Sequence, residues 1–229
     1  MATNYTLINA RKKKKDEFYT TYQDIEKEMA YYVDKFKNKV IYCNCDNPKM
    51  SAFWGFFHKN FSNLGLKKLV ATYIDNNDIS YVCTYTGGSD TDIEQYESIP
   101  LNGNGDFCSV ECIELLKESD IIVTNPPFSL FRKFVEIVVS HKKDFLILGN
   151  SNAGFTKFIF PLFKENKIWY GATIHAGDIR FNVPNDYELT TKNGGFDNGQ
   201  KFIRVTGIRW FTNLDHCRKH QKIHLNKTY

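Results

Sequence analysis

Four consecutive residues, Asn125-Pro126-Pro127-Phe128, combine groups that could hold and activate a planar amine. They directly follow the apolar run Ile121-Ile122-Val123-Thr124, a predicted strand, so they should lie at a strand's carboxyl end, where open α/β sheets bind ligands. The two prolines fix φ near about −65° and remove two backbone donors, and Pro126 drives Asn125 out of helical geometry. A stiff corner displaying acceptors results. An exocyclic amine such as adenine's is a poor nucleophile because its lone pair is spread into the ring. The Asn125 side-chain oxygen and the Pro126 carbonyl, each accepting one N–H, would draw that nitrogen toward tetrahedral geometry and aim its lone pair at a methyl donor. Phe128 would stack on the face of the base. Such a transfer needs positioning and in-line displacement more than a strong general base, so no catalytic His or Glu is required. Asn-Pro-Pro also serves as an ordinary loop after a strand, and the tetrapeptide alone does not separate the two uses.

The elements that must position this corner follow from periodicity. Thr21-x-x-Asp24 starts a helix whose face Ile25, Met29, Val33 and Phe36 carries it to about Lys37. Lys39 to Asn44 is a buried strand, Ser51 to Leu64 a Phe-rich helix ended by Gly65, and Lys68 to Ile74 a second strand parallel to the first. Ile79 to Thr86 alternates like a strand, with Gly87-Gly88 turning toward a hairpin partner over Ile93 to Ile99. A helix capped by Ser109 runs through Glu118, followed by the strand Asp120 to Thr124, a helix from about Ser129 to Ser140, the strand Phe145 to Leu148 and a helix near Phe155 to Asn166. Such alternation predicts an α/β sheet covered on both faces. Beyond Ile168 come short runs (Ile168 to Ile174, Ile179 to Val183, Lys201 to Val205, Ile208 to Phe211) separated by loops that include Asn193-Gly194-Gly195 and Asn198-Gly199. These predict the last, antiparallel strands and a loop-rich extension. Three segments are expected: a basic tail over 1–15, a catalytic domain over 16–175, and the extension over 176–229.

Composition limits the function classes. With 42% hydrophobic and 24% charged residues the chain can bury a globular core. No run approaches the ~18 to 20 apolar residues of a membrane span, and the N-terminus lacks an apolar signal block, so a soluble, cytoplasmic protein is expected with no membrane partner. The six cysteines fall mostly within predicted elements and read as reduced packing residues. Cys43-x-Cys45 and the cluster His216-Cys217-x-x-His220-x-x-x-His224 contain zinc-ligand residue types, but neither has a second half at standard spacing, so no metal is expected.

Five stretches carry a resemblance: Asp16-Glu17-Phe18-Tyr19-Thr20-Thr21, Val40-Ile41-Tyr42-Cys43-Asn44-Cys45-Asp46, Gly103-Asn104-Gly105-Asp106-Phe107, Asn125-Pro126-Pro127-Phe128-Ser129 and Ile208-Arg209-Trp210-Phe211-Thr212-Asn213-Leu214. In this order the chain resembles the adenine-specific DNA methyltransferases of the EcoRI modification-methylase type. The resemblance implies a Rossmann-like methyltransferase fold with a mostly parallel central sheet, helices on both faces and antiparallel strands near the C-terminus. It implies S-adenosylmethionine as cofactor and site-specific transfer of its methyl group to the N6 amine of adenine in double-stranded DNA. By the same reading Phe18, Tyr19 and Thr20 line the cofactor pocket, Asn44 and Asp46 follow the first strand into it, Asp106 accepts from the cofactor's adenine amine, Phe107 packs beside that ring, and Asn125 closes the site. The Gly-rich turn usual in methyltransferases after the first strand is replaced here by Cys43-Asn44-Cys45-Asp46-Asn47-Pro48, a feature shared with the EcoRI type. Members of that type usually continue past the Arg-Trp-Phe-Thr-Asn segment, so part of the DNA-recognition apparatus is expected to be absent or supplied differently.

DNA as partner requires the target adenine to be flipped out of the duplex, at a cost of a few kcal/mol, and cations to meet the phosphates. Candidates are Lys12, Lys13, Lys14, Lys15, Arg132, Lys133, Arg180 and Arg209, each of which also reads as ordinary solvent-facing charge. Two alternatives remain open: a methyltransferase acting on a protein glutamine or an RNA base, and a non-catalytic relative that binds cofactor or DNA. Oligomeric state is open too, with a monomer favoured.

Overall fold

The computed structural model describes residues 19–75, 77, 79–173, 178–187, 189 and 194–221. The chain begins with β1 (Tyr19–Thr20), α1 (Tyr22–Met29) and α2 (Val33–Phe36), and continues through β2 (Val40–Asn44), α3 (Ala52–Lys59), α4 (Phe61–Leu64) and β3 (Lys68–Ile74). Next come β4 (Ser80–Tyr85), β5 (Glu97–Pro100), α5 (Val110–Glu118), β6 (Ile121–Thr124), α6 (Phe131–Ser140) and β7 (Asp144–Asn150). After a 3-10 turn over Ser151–Phe155 follow α7 (Ile159–Lys164), β8 (Trp169–Tyr170), β9 (Asp178–Asn182), β10 (Gly194–Asp197), β11 (Gln200–Thr206) and β12 (Ile208–Thr212).

Eight strands form one sheet in the order β5-β4-β3-β2-β6-β7-β12-β8. Its four central strands, β3, β2, β6 and β7, are parallel, and both flanks are antiparallel. Every residue of β2 and β6 is buried, as expected of strands covered on both faces. Ile41, Cys43, Ile121 and Val123 face a core built with Ile25, Phe36, Trp54 and Phe57 of α1 to α3. Tyr42 and Ile122 face the opposite core, where Leu116, Phe134, Val138 and Ile159 of α5 to α7 pack. The antiparallel strands expected near the C-terminus are β12 and β8, but β4 and β5 extend the other edge in the same manner.

A second sheet, β1-β9-β11-β10, is antiparallel throughout. Its inward residues Ile179, Phe181, Ile203 and Val205 belong to the core shared with α1 to α3. Strand β12 then returns to the large sheet beside β7, so the stretch beyond residue 175 contributes to both sheets, and β1 reaches the small one from the other end of the chain.

Several boundaries differ from the periodicity reading, each for a local reason. The first helix breaks after Met29 because Tyr32 leaves helical geometry (φ −127°, ψ 12°), buries its ring completely and donates its hydroxyl to Glu28 at 2.9 Å. Val33, expected on the apolar face, is 49% exposed as a result. The Phe-rich helix divides at Asn60, whose side chain donates back to the Phe56 carbonyl at 2.9 Å. The helix expected from Phe155 starts only at Ile159, and of the strand expected over Ile168 to Ile174 the described residues form only Trp169–Tyr170, Ile174 lying outside them. Gly194 and Gly195, read as loop, stand in β10 opposite Ile203 and Phe202, with Asn198 and Gly199 (φ 47° and 79°) turning the hairpin. A side chain on Gly194 would meet Leu189 Cδ2 at 2.5 Å, so the strand needs glycine for closeness where composition suggested a loop.

Candidate active site

Strands β2 and β6 pair in parallel, so their carboxyl ends lie side by side, and the turn after one faces the corner after the other. The turn after β2 bends at Cys45, which takes the left-handed conformation (φ 64°) that glycine adopts most easily. Here it does the work of the missing Gly-rich turn. The Asp46 N–H then donates to the Thr72 carbonyl at 2.9 Å, drawing the loop over the end of β3. Between this turn, β1 and the Asn-Pro-Pro corner lies a cleft. Tyr19, Thr20, Asp46, Asn125 and Pro127, all expected from the sequence, line it together.

Asp46 is the most constrained acid of the cleft. Its Oδ1 accepts the Ser51 hydroxyl at 2.6 Å and its Oδ2 accepts the Thr124 hydroxyl at 2.7 Å. Ser51 is also the N-cap of α3, accepting the N–H groups of Phe53 and Trp54 at 3.1 and 3.2 Å. Burial raises the Asp46 carboxyl to about 6, against the two hydroxyl donors, which pull it down. Thr20 is buried, and its hydroxyl oxygen has no hydrogen-bond partner among the described residues. A cleft lined by a half-buried carboxylate and a buried hydroxyl has the acceptors to hold a polar ligand with ammonium and hydroxyl groups, as S-adenosylmethionine has.

Other expected site residues are placed differently. Asn44 does not line the cleft: its amide donates to the Tyr42 hydroxyl at 2.6 Å and the Thr72 hydroxyl at 3.3 Å, in a buried network under the turn. Asp106 is exposed and caps its own loop, accepting the Cys108 N–H at 2.7 Å. That loop does stand at the ligand-binding end of the sheet, since a Cβ on Gly105 would come within 3.2 Å of Ile74 at the end of β3. Phe107 is buried against Phe134 (centroids 5.2 Å apart), in the core behind that edge. Phe128 is half-buried and meets Phe181 of the small sheet edge-on, centroids 6.1 Å apart. That contact sets the corner against β9. Phe18 and Lys12 to Lys15 lie outside the described residues.

The remaining DNA candidates are dispersed. Arg132 on α6 is exposed and 3.9 Å from Glu136. Lys133 stands 5.8 Å from the Phe107 ring centre, at the Asp106 loop. Arg180 on β9 pairs with Asp197 at 2.6 Å and stacks over Phe202 at 4.0 Å. Arg209 is half-buried on β12 and donates to the Ile208 carbonyl at 2.7 Å. Sequence reasoning missed Cys45, Asn47, Ser51 and Phe53 as cleft residues. Ser51 was expected as the first residue of the Phe-rich helix and is instead its cap; a hydroxyl residue just before an apolar helical run is the signal that could have found it.

Residues 6–229 match the family model described as adenine-specific methyltransferase EcoRI. The chain belongs to that family. Its relatives include the type II methyltransferase M.EcoRI of Escherichia coli, 43% identical over 241 aligned residues that take in 100% of this chain and 74% of the relative. The type II methyltransferases M.MpnI of Mycoplasma pneumoniae and M.MgeORF184P of Mycoplasma genitalium are 46% and 43% identical, each over 90% of this chain. The chain spans 63% of the length of both. Family membership makes an adenine-specific methyltransferase the reference for the chemistry of the cleft. Among the described residues no helix is long and apolar enough to cross a membrane.

Proposed function

We propose that this chain methylates the N6 amine of adenine in double-stranded DNA at a specific sequence, holding S-adenosylmethionine in the cleft between β1 and the Cys45–Asn47 turn of a Rossmann-like fold. One observation carries the reading: Asn125 and Pro127, at the end of β6, line the same cleft as Thr20 and Asp46. Acceptors for a target amine and acceptors for a cofactor are thereby presented to one space. When bound, S-adenosylmethionine supplies an electrophilic methyl group on a sulfonium. The protein's part is to hold and aim. Asp46 offers a fixed carboxylate to ammonium or ribose hydroxyl groups, and Thr20 offers a buried hydroxyl.

At the corner, the Asn125 side-chain oxygen and the Pro126 carbonyl accept the two N–H bonds of the adenine amine, concentrating its lone pair in the direction of transfer. Phe128, braced by Phe181, keeps the flipped base in one plane. The proton lost from the methylated amine passes to solvent, since no strong base is needed once the nitrogen is alkylated.

Incubating the chain with mixed-sequence DNA and labelled S-adenosylmethionine, then analysing nucleosides and mapping modified sites, tests the proposal. N6-methyladenine at a defined sequence is expected. Label found only in RNA or in protein glutamine would overturn it. Asn125→Ala should lower turnover by about 100-fold or more while cofactor affinity stays within about threefold, because it deletes an acceptor used in transfer.

A further inference from the structure

Thr124 is the last residue of β6, immediately before the Asn-Pro-Pro corner, and its hydroxyl lies between two acceptors of the neighbouring turn. Its Oγ1 is 2.6 Å from the Asn44 carbonyl oxygen at the end of β2 and 2.7 Å from Asp46 Oδ2. The residue is fully buried. A hydroxyl has one proton, so it cannot donate to both acceptors at once. With Asp46 ionised, the proton is drawn to the carboxylate and the Asn44 carbonyl loses its share. With Asp46 protonated, the acid donates to Thr124 Oγ1 and Thr124 donates to Asn44, completing the chain in the other direction.

We infer that Thr124 is a positioning residue which ties the cofactor-binding turn to the catalytic corner, holding the Asp46 carboxylate in its ligand-binding orientation through the direction of its single hydrogen bond. The inference rests on the cleft being the S-adenosylmethionine site. The elements packed around Asp46 provide hydroxyls and thiols: Ser51 at the cap of α3, Thr124 from β6, and Cys43 and Cys45 from β2 and its turn, with the phenol of Tyr19 lining the cleft from β1. Among the described residues Asp46 has no ion pair with Lys, Arg or His. The Asp46 carboxyl, raised by burial to about 6 despite both donors, therefore depends on those donors to remain ionised near neutrality.

Equilibrium binding of S-adenosylmethionine to the full chain, measured between about pH 5 and pH 8, tests this. Wild-type affinity should fall with a midpoint near 6, where Asp46 takes up its proton. In Thr124→Val the midpoint should rise by about one pH unit, making binding about fivefold weaker at the wild-type midpoint and nearly unchanged at the alkaline end. Thr124→Ser should restore the wild-type profile. A Thr124→Val profile lowered equally at all pH values, or one superimposed on wild type, overturns the inference, as does failure of Thr124→Ser to restore it. If Thr124→Val does not fold, Thr124→Cys puts a weaker donor at the same place and should move the midpoint upward by a smaller step; an unmoved midpoint is then the overturning result. Wild type that binds no S-adenosylmethionine at any pH instead overturns the reading of the cleft itself.

Discussion

Two acids, Glu28 and Asp46, occupy opposite situations in the same molecule. Glu28 on α1 is fully buried and takes the Tyr32 hydroxyl at 2.9 Å, the Ala172 and Thr173 N–H groups at 2.7 and 2.8 Å, and the Thr173 hydroxyl. A carboxylate has about four lone-pair sites, so this one is saturated. Asp46 takes two hydroxyls and faces a cleft with acceptor capacity unspent. Saturation makes an acid a strut, and incompleteness makes it a candidate ligand. Glu28 joins α1 to the segment after β8, where Gly171 leaves it room: a Cβ there would clash with Glu28 Oε1 and with Trp210 Cβ.

The contrast can be broken by exchanging the roles. Glu28→Ala should cost about 3 to 5 kcal/mol of stability in urea unfolding, because it strands several buried donors at once; a loss under about 1 kcal/mol would remove the strut from the comparison. Asp46 should behave in the opposite sense. Its carboxyl is raised above the unfolded value of 3.8, to about 6, so the folded state binds the extra proton between these values. The stabilisation from this group is then fully present below the lower value and is lost as pH rises through the upper one, a change of about 3 kcal/mol. Asp46→Asn should flatten that part of the curve of stability against pH, and an unchanged curve would show the carboxyl to be unshifted.

For ligand binding the order reverses. Asp46→Ala should weaken S-adenosylmethionine by about 10- to 100-fold, as loss of a charge-assisted hydrogen bond does, when measured by calorimetry well above the Asp46 midpoint. Asp106→Ala should have a far smaller effect. Its carboxylate is exposed and already caps a turn, so about a threefold loss of affinity is expected. Equal effects at the two positions would mean that burial and locking do not distinguish these acids.

Much of the fold was legible because its causes are local. Lys39 to Asn44 and Asp120 to Thr124 read as strands from their apolar runs, and each is a buried strand that starts one residue later. Thr21 and Ser109 read as caps, and each side chain accepts an N–H of the following helix; Ser51, read as the first residue of its helix, is the cap of it. Strand β10 was not legible, since glycine pairs signal a turn unless a neighbour such as Leu189 is known to press against them. Nor was Cys45, because nothing in a cysteine announces positive φ. Asn44 was drawn toward the site by its neighbours in sequence and away from it by Tyr42 and Thr72 in space.

The stiff Asn125-Pro126-Pro127 corner and its place after an apolar strand were determined by the sequence itself, because proline geometry and strand burial act over a few residues. Which acid stays open to a ligand was decided only by tertiary structure. Besides the nearby Tyr32 hydroxyl, the donors that saturate Glu28 come from residues 144 and 145 positions away, and the hydroxyl that steers Asp46 comes from 78 positions away. A carboxylate's role depends on how many donors reach it, and that number exists only once the sheet has brought distant strands together.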